Sequence, residues 1–245
     1  MWSIRLISLL MITALQGQVR VPGPGGLTSA AAVTLVQPTT SNSIASTCSA
    51  YSGVTTITCA FPLNLSAGNS IYVAVFIPGG NTVTSPLACS GTATIGSFST
   101  IGSGGNGINW YRATISGSGS CSLSTTMSSA GGMFIFPFEI SSDGGADSGT
   151  NPVYNQTAYS GATVTLTSIT PATINDLILS VFFSQNNPNT YSSLSTYTLV
   201  NQGNSTTSSF FTGSYVAPAT SAISPTATQS NTAFGNVWDS AISVK

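Results

Sequence analysis

The chain has 245 residues, of which 41% are hydrophobic and only 4% are charged, and its formal net charge is -1. A chain of this length can bury a sizeable core as one large domain, and so high a hydrophobic content excludes a disordered chain. There is no His, which removes the usual general base near neutral pH and the commonest metal ligand. Beyond the first few residues the only cations are Arg20, Arg112 and Lys245, which excludes a nucleic-acid-binding function.

The N-terminus has the features of a secretory signal peptide over residues 1–17. Arg5 precedes the apolar segment Leu6–Leu15, and polar residues follow it. This segment is shorter than the ~20 residues that span a bilayer, so we expect no transmembrane segment. The predicted location of the mature chain is therefore secreted or on the cell surface.

Residues 18–38 predict a linker and a possible N-terminal strand. Val21–Gly26 reads VPGPGG, which is typical of a flexible or extended linker, and Ala31–Gln37, AAVTLVQ, can form the strand. The remainder, residues 39–245, is predicted to form a single β-sandwich domain.

Four Cys residues lie in the predicted mature chain, and an even number of Cys in an exported protein indicates disulfides. A predicted hairpin over Cys48–Phe61 brings two of them onto facing arms. We therefore favour Cys48 with Cys59 and Cys89 with Cys121. Other pairings and a tetrahedral zinc site are the alternatives, although the spacing lacks a close C-x2-C pair.

Two short, continuous apolar runs predict the centre of the fold. Ser70–Ile77, SIYVAVFI, and Asp176–Phe183, DLILSVFF, are rich in β-branched and aromatic residues and are bounded by turn formers. Such runs indicate strands buried on both faces. An overlay that places Asn69 on Asn175 matches the two runs, either because the chain is duplicated or because both strands solve one packing problem.

The rest of the chain reads as short strands between Gly, Pro, Ser and Asn turns, with Ile108–Ile115 and Met133–Ile140 the most distinct. About a dozen strands at near-regular spacing predict an all-β fold, a two-sheet antiparallel β-sandwich that is jelly-roll-like. The alternative is two immunoglobulin-like domains that meet near residues 145–160.

Glu139 is the only Glu and lies in an apolar predicted strand. Glycoside hydrolysis needs a pair of carboxyl groups, and the neighbouring candidates are Asp143 and Asp147 in the following loop. An ion pair with Arg112 is the structural interpretation, because a buried carboxylate without a partner is costly.

Asp143 and Asp147 also form the candidate metal site. Flexible Gly residues between them could gather oxygen atoms around Ca²⁺, although the spacing is not that of an EF-hand. Calcium is thus a possible ligand, and no other cofactor is predicted.

Aromatic side chains are the candidate ligand-binding residues. Trp110, Tyr111 and Trp238, with Tyr215, could form an exposed platform on which sugar rings stack. Such aromatic residues are also common in a core.

The stretch from Cys48 to Glu139 contains a Cys-bearing hairpin, the lead-in SAGN before an aliphatic strand, the aromatic pair Trp110-Tyr111 and a Cys-x-Leu strand at Cys121. In these features, and in its terminal Trp-containing strand, the chain resembles a broad set of uncharacterised exported bacterial β-sandwich proteins. That set is similar to lectin and glucanase jelly rolls, but the glucanase carboxylate cluster has no counterpart here.

The sequence therefore favours a non-enzymatic exported β-sandwich that acts as an adhesive or structural module at the cell surface or in the extracellular matrix. Low charge and the apolar segment Ala31–Gln37 indicate possible self-association, since that segment could pair with a neighbour's sheet edge. A carbohydrate-binding, lectin-like module that binds extracellular glycan is the alternative, and a glycan-active enzyme is the third.

Overall fold

Sequence rich in Thr, Ser, Val and aromatic residues forms antiparallel strands along most of the chain. The computed structural model describes residues 31–39, 48–79, 81–85, 87–104, 107–146, 153–159, 163–185, 191–194, 197–204, 208–224, 226–229 and 235–245. Ala31–Lys245 forms one unit, and the predicted signal peptide lies outside the described residues. The all-β antiparallel sandwich is confirmed, whereas its jelly-roll form and its domain boundaries stay predictions.

The described residues contain 16 strands rather than about a dozen. In chain order they are β1 Thr34–Gln37, β2 Ser49–Ala60, β3 Ser70–Phe76, β4 Ala88–Ser90, β5 Thr94–Ile95, β6 Ser99–Gly104, β7 Ile108–Gly117, β8 Ser122–Ser141, β9 Val153–Tyr159, β10 Thr163–Thr165, β11 Leu177–Gln185, β12 Tyr191–Leu194, β13 Thr198–Asn204, β14 Ser208–Val216, β15 Thr226–Gln229 and β16 Gly235–Val244.

These strands form sheets of eight, five and three strands. The eight-stranded sheet has the order β1-β8-β3-β7-β5, and within it β2 and β4 also pair with β8 and β6 pairs with β7. The five-stranded sheet has the order β13-β14-β11-β16-β9, and the three-stranded sheet has the order β10-β15-β12. The third sheet was not expected from the sequence.

Strands β3 and β11 are the two predicted central strands. Residues 70–76 and 177–184 are buried throughout. One face of each strand lies in a shared core between the eight-stranded and five-stranded sheets, where the rings of Phe76 and Phe183 are 4.7 Å apart. Because that core takes only alternate side chains, a second layer must cover the other face of each strand.

A cover sheet closes the second face of each central strand. The N-terminal half of β8, together with β2 and β4, bends over β3, so that Leu123 packs in one cluster with Val73. The three-stranded sheet lies over β11, where Val164 and Ala227 pack with Phe182. The fold is therefore four layers deep, with two inner sheets between two cover sheets, which explains the continuous apolar runs.

The two halves of the chain have the same strand order. The first repeat, residues 34–141, has the inner sheet β1-β8-β3-β7-β6 and the cover sheet β2-β8-β4. The second repeat, residues 153–244, has the inner sheet β9-β16-β11-β14-β13 and the cover sheet β10-β15-β12. Strand β8 runs through both sheets of the first repeat, where the second repeat has the separate strands β15 and β16. Strand β5 is an addition of the first repeat.

The hydrogen-bond register of the repeats also coincides. Each inner sheet has a one-residue bulge in the same place, at Ile101 of β6 and at Val200 of β13. Each cover sheet has a row of three paired residues, with Leu123 in the middle in the first repeat and Ala227 in the second. The chain is thus a tandem repeat of one eight-strand fold.

The entry into each central strand fixes the match between the repeats. Gly68 and Asn175 both have positive φ, 90° and 71°, a conformation that favours Gly and Asn. Gly68 N–H donates to the carbonyl of Ile115 at 2.8 Å, and Asn175 N–H donates to that of Ala217 at 2.7 Å. Gly68 therefore corresponds to Asn175, and Phe76 corresponds to Phe183.

The overlay made from the sequence is wrong by one residue. It placed Ile71 on Leu177, but Ile71 faces the first cover sheet and Leu177 faces the shared core. A shift of one residue turns every side chain to the other face of a strand. By the structural match, Ile71 corresponds to Ile178.

The N-terminal segment is occupied within its own chain. Strand β1 pairs with the end of β8, with Thr34 opposite Ser141, and Val33 is buried in the shared core. The prediction that Ala31–Gln37 is free to pair with a neighbouring molecule is corrected accordingly.

The favoured disulfides, Cys48–Cys59 and Cys89–Cys121, are confirmed. Both lie in the first repeat and close loops with sequence separations of 11 and 32 residues. Such cross-links stabilise a fold by about 2–4 kcal/mol each.

A charge in either central strand is expected to prevent folding. Val75 and Val181 are 0% and 1% exposed, and an unpaired carboxylate at either position costs several kcal/mol. Circular dichroism of Val75→Asp and Val181→Asp should show no cooperative thermal transition. Thr58→Asp, an exposed change on the first cover sheet, should fold like wild type. A Val75→Asp protein with the wild-type melting temperature would contradict the four-layer arrangement.

Candidate functional site

Glu139 lies on β8 with no solvent exposure, and its carboxylate joins three segments of the first repeat. It accepts N–H bonds from Gln37 Nε2 at 2.5 Å, from Asn69 Nδ2 at 2.7 Å and from the backbone of Ser66 at 2.8 Å. Gln37 in turn accepts the N–H of Leu63 at 2.9 Å. These contacts hold β1 and the connection from β2 to β3 against β8.

The second repeat has a corresponding contact between the same two strand positions. In the structural match, Asn69 corresponds to Asp176 and Glu139 corresponds to Ser243. Ser243 Oγ donates to Asp176 Oδ2 at 3.2 Å. The carboxylate and its donor have exchanged strands but still join the same two points. We conclude that Glu139 braces the fold.

The predicted ion pair between Glu139 and Arg112 is wrong. Ile71 pairs with Glu139 on one side and with Ala113 on the other, so Glu139 and Arg112 lie on opposite faces of the sheet. Side chains on opposite faces cannot meet.

Arg112 instead binds Asp143. Its Nε donates to Asp143 Oδ2 at 2.8 Å, and the closest ion-pair distance is 2.6 Å. Asp143 Oδ1 accepts from Tyr72 Oη and from the backbone of Gly145, both at 2.7 Å. Burial alone would raise the pKa of Asp143, but hydrogen bonds from Ser70, Tyr72, Gly145 and Arg112 outweigh it and lower that pKa below its usual value.

This geometry does not favour the predicted calcium site. Both oxygens of Asp143 already accept hydrogen bonds, and a cation there would have to displace Arg112. Asp147 lies outside the described residues. Among the residues that are described, no group of three or more His, Cys, Asp or Glu side chains could hold a metal ion.

The predicted sugar-stacking platform is wrong for both Trp residues, because both lie in the shared core. Trp110 is 0% exposed, and its Nε1 donates to Ser240 Oγ of the other repeat at 2.9 Å. Trp238 is 7% exposed and packs against Phe76. Neither ring has an open face. Tyr111 is half-buried against the core of the first repeat.

A group of buried polar side chains lies between β11 and β16 and the second cover sheet. Asp239 on β16 is 5% exposed and accepts a hydrogen bond from the backbone N–H of Thr167. Its register partner on β11 is Phe182, which is flanked by Ser180 and Ser184. Three hydroxyl groups of this face are buried without a hydrogen-bond partner, those of Ser180, Ser184 and Tyr197. Native proteins contain few such groups, so their concentration here requires an explanation.

The first repeat has hydrocarbon at the equivalent positions. Asp239 corresponds to Ile135, Ser180 to Val73, Ser184 to Ile77 and Tyr197 to Phe98, all in the apolar cluster of the first repeat. The fold therefore does not require polar groups at these positions.

Burial dominates the electrostatics of this cluster. It raises the pKa of Asp239 to about 6, although hydrogen bonds from Thr167 and the backbone act in the opposite direction. Burial, together with Tyr215 and Asp239, raises the pKa of Tyr197 well above its usual value. We call Asp239, Thr167, Ser180, Ser184 and Tyr197 the Asp239 cluster.

An open depression of about 220 Å³ lies beside β4. It is lined by residues 87–89 and 95–98, including the disulfide-bonded Cys89 and the half-buried Phe98. It is smaller than the roughly 300–1,000 Å³ of drug-sized ligand pockets, and no ionisable side chain lines it.

Comparison of the chain with protein-family models, with curated proteins and with solved structures gives no match. The resemblance to exported bacterial β-sandwich proteins stays a prediction. Within the described residues no helix is long and apolar enough to cross a membrane.

Sequence reasoning missed the Asp239 cluster. A signal was present, since Asp239 is the only carboxylate in the apolar C-terminal strand. It becomes informative only when the repeats are matched in the correct register, which places Asp239 on Ile135.

Glu139→Gln is expected to lower the free energy of unfolding by about 1.5–3 kcal/mol. In Gln an NH₂ group replaces one of the two carboxylate oxygens and faces one or two of the three N–H donors, and hydrogen bonds to a charged group contribute about this much. Chemical denaturation measures the loss, with the exposed Thr58→Ala as the matched control. An unfolding free energy equal to that of wild type would contradict the bracing role.

Proposed function

We propose that this protein is an exported, non-enzymatic β-sandwich that serves as a structural or adhesive module at the cell surface or in the extracellular matrix. The observation that carries the proposal is the location of the acidic side chains. The chain has five acidic residues, and the four in the described part are all engaged inside the fold: Glu139, Asp143, Asp176 and Asp239. The described carboxylates thus hold segments together and do not line a cleft.

Two disulfides support an oxidising, extracellular environment, because such bonds form and persist there. The sequence-based signal peptide fits the same location. The two lines of reasoning are independent, since one rests on Cys pairing and the other on the N-terminal residues.

The two outermost faces of the fold support a role that works through surfaces. Each is the outer face of a cover sheet, and each carries uncharged hydroxyl side chains at equivalent positions, Thr58 and Ser124 in the first repeat and Thr163 and Thr228 in the second. A surface with so little charge gives little electrostatic repulsion between copies. Self-association through the cover faces therefore replaces the proposal based on Ala31–Gln37.

Sedimentation velocity of the purified protein over a wide concentration range tests this proposal. We expect concentration-dependent association that salt does not weaken, because no ion pairs are involved. Thr58→Glu combined with Thr163→Glu places a charge on each cover face and should keep the protein monomeric. Thr220→Glu, an exposed change in the connection between β14 and β15, should associate like wild type.

A protein that stays monomeric at every concentration would overturn self-association. A glycan array with the same variants tests the lectin-like alternative. Binding of a glycan by the monomer, lost on the double substitution, would favour that alternative over a structural role.

A further inference from the structure

The Asp239 cluster is a polar interior in the repeat that lacks disulfides. All four Cys residues lie in the first repeat, and their bonds staple its cover sheet. The second cover sheet consists of short strands, Thr163–Thr165, Tyr191–Leu194 and Thr226–Gln229. Its described contacts with the inner sheet include clusters of buried apolar residues and the contact of Thr167 with Asp239.

We propose that Asp239 is a proton-dependent latch of the second cover sheet: while its carboxyl is protonated the sheet lies closed on the inner sheet, and loss of the proton lets it open. The geometry that supports this is a carboxyl group under the cover, joined to the segment that leads away from β10, among hydroxyls that water would satisfy once the layers part. The first repeat, with Ile135 in the same place, has no such latch.

In the described residues, few other charged or titratable groups lie near the Asp239 carboxyl. Of the two cations in the described residues, Arg112 binds Asp143 in the first repeat and Lys245 is the exposed C-terminal residue. The titratable groups packed on the same face are Tyr197 and Tyr215, and Asp176 lies further along it in contact with Ser243. The sequence of strand β9, next to β16, contains no carboxylate or cation.

The direction of the effect follows from burial. A carboxyl group whose pKa is raised in the closed state fully stabilises that state when the pH is below the ordinary pKa of 3.8. This stabilisation is lost as the pH rises to about 6. Each unit of pKa is a tenfold change in an equilibrium constant. Opening should therefore increase about a hundredfold from about pH 4 to about pH 7 and change little above that.

Hydrogen exchange of the full chain, corrected for the intrinsic pH dependence of amide exchange, tests the latch. Protection of the amides of β10 and β15 should fall about a hundredfold between about pH 4 and about pH 7. The equivalent amides of β2 and of the N-terminal half of β8 serve as the internal control and should keep their protection.

Asp239→Asn should abolish the pH dependence in β10 and β15. If that variant does not fold, Asp239→Ile, which introduces the residue of the first repeat, should do the same. Asp143→Asn should leave the pH dependence of the second cover sheet in place. Equal protection at both pH values, an equal loss in both cover sheets, or an unchanged pH dependence in Asp239→Asn would each overturn the proposal.

Discussion

The burial of β3 and β11 on both faces is the constraint on which the structure depends. A strand that is apolar on both faces must lie between two other layers, and each large side chain removed from water stabilises by about 1.5–3 kcal/mol. The two strands meet face to face, so one shared core serves both. Each repeat then needs only one cover sheet of its own. Neither inner sheet could stand alone, because Phe76 and Phe183 would be exposed.

Such a fold needs few charged side chains. Two of its carboxylates lie where buried backbone N–H groups need a hydrogen-bond acceptor. Glu139 accepts the N–H of Ser66 at the entry to β3, and Asp176 accepts that of Thr173 before β11. A carboxylate is well suited to this task, because hydrogen bonds to an ionised acceptor are stronger than neutral ones. The contact recurs in both repeats with donor and acceptor exchanged. The two repeats therefore share the position of the contact but not the residue types that make it.

The sequence predicted the central strands and the Cys48–Cys59 disulfide because their signals are local, and Cys89 with Cys121 was then the remaining pair. A continuous apolar run and a short Cys-bearing hairpin each depend on adjacent residues. Register could not be predicted, since a strand buried on both faces has lost the alternation that reports which side chains point inward. The burial of Trp110 could not be predicted for another reason, since the sequence of β7 does not report that the other repeat covers its Trp110 face. The loss of alternation in β3 and β8 also hid that Glu139 and Arg112 lie on opposite faces.

Asp239 can be interpreted because the first repeat has the same fold and serves as a comparison for the second. The first repeat shows that Ile135, Val73 and Ile77 fill this interior with hydrocarbon, so the fold itself does not require polar residues at these positions. Buried hydroxyls without partners cost stability, about 1–3 kcal/mol for each unmet group. The repeat that bears this cost also lacks the disulfides. Its cover sheet should therefore be the part of the described fold that opens most easily, and a proton on Asp239 is the simplest means by which surroundings could control it.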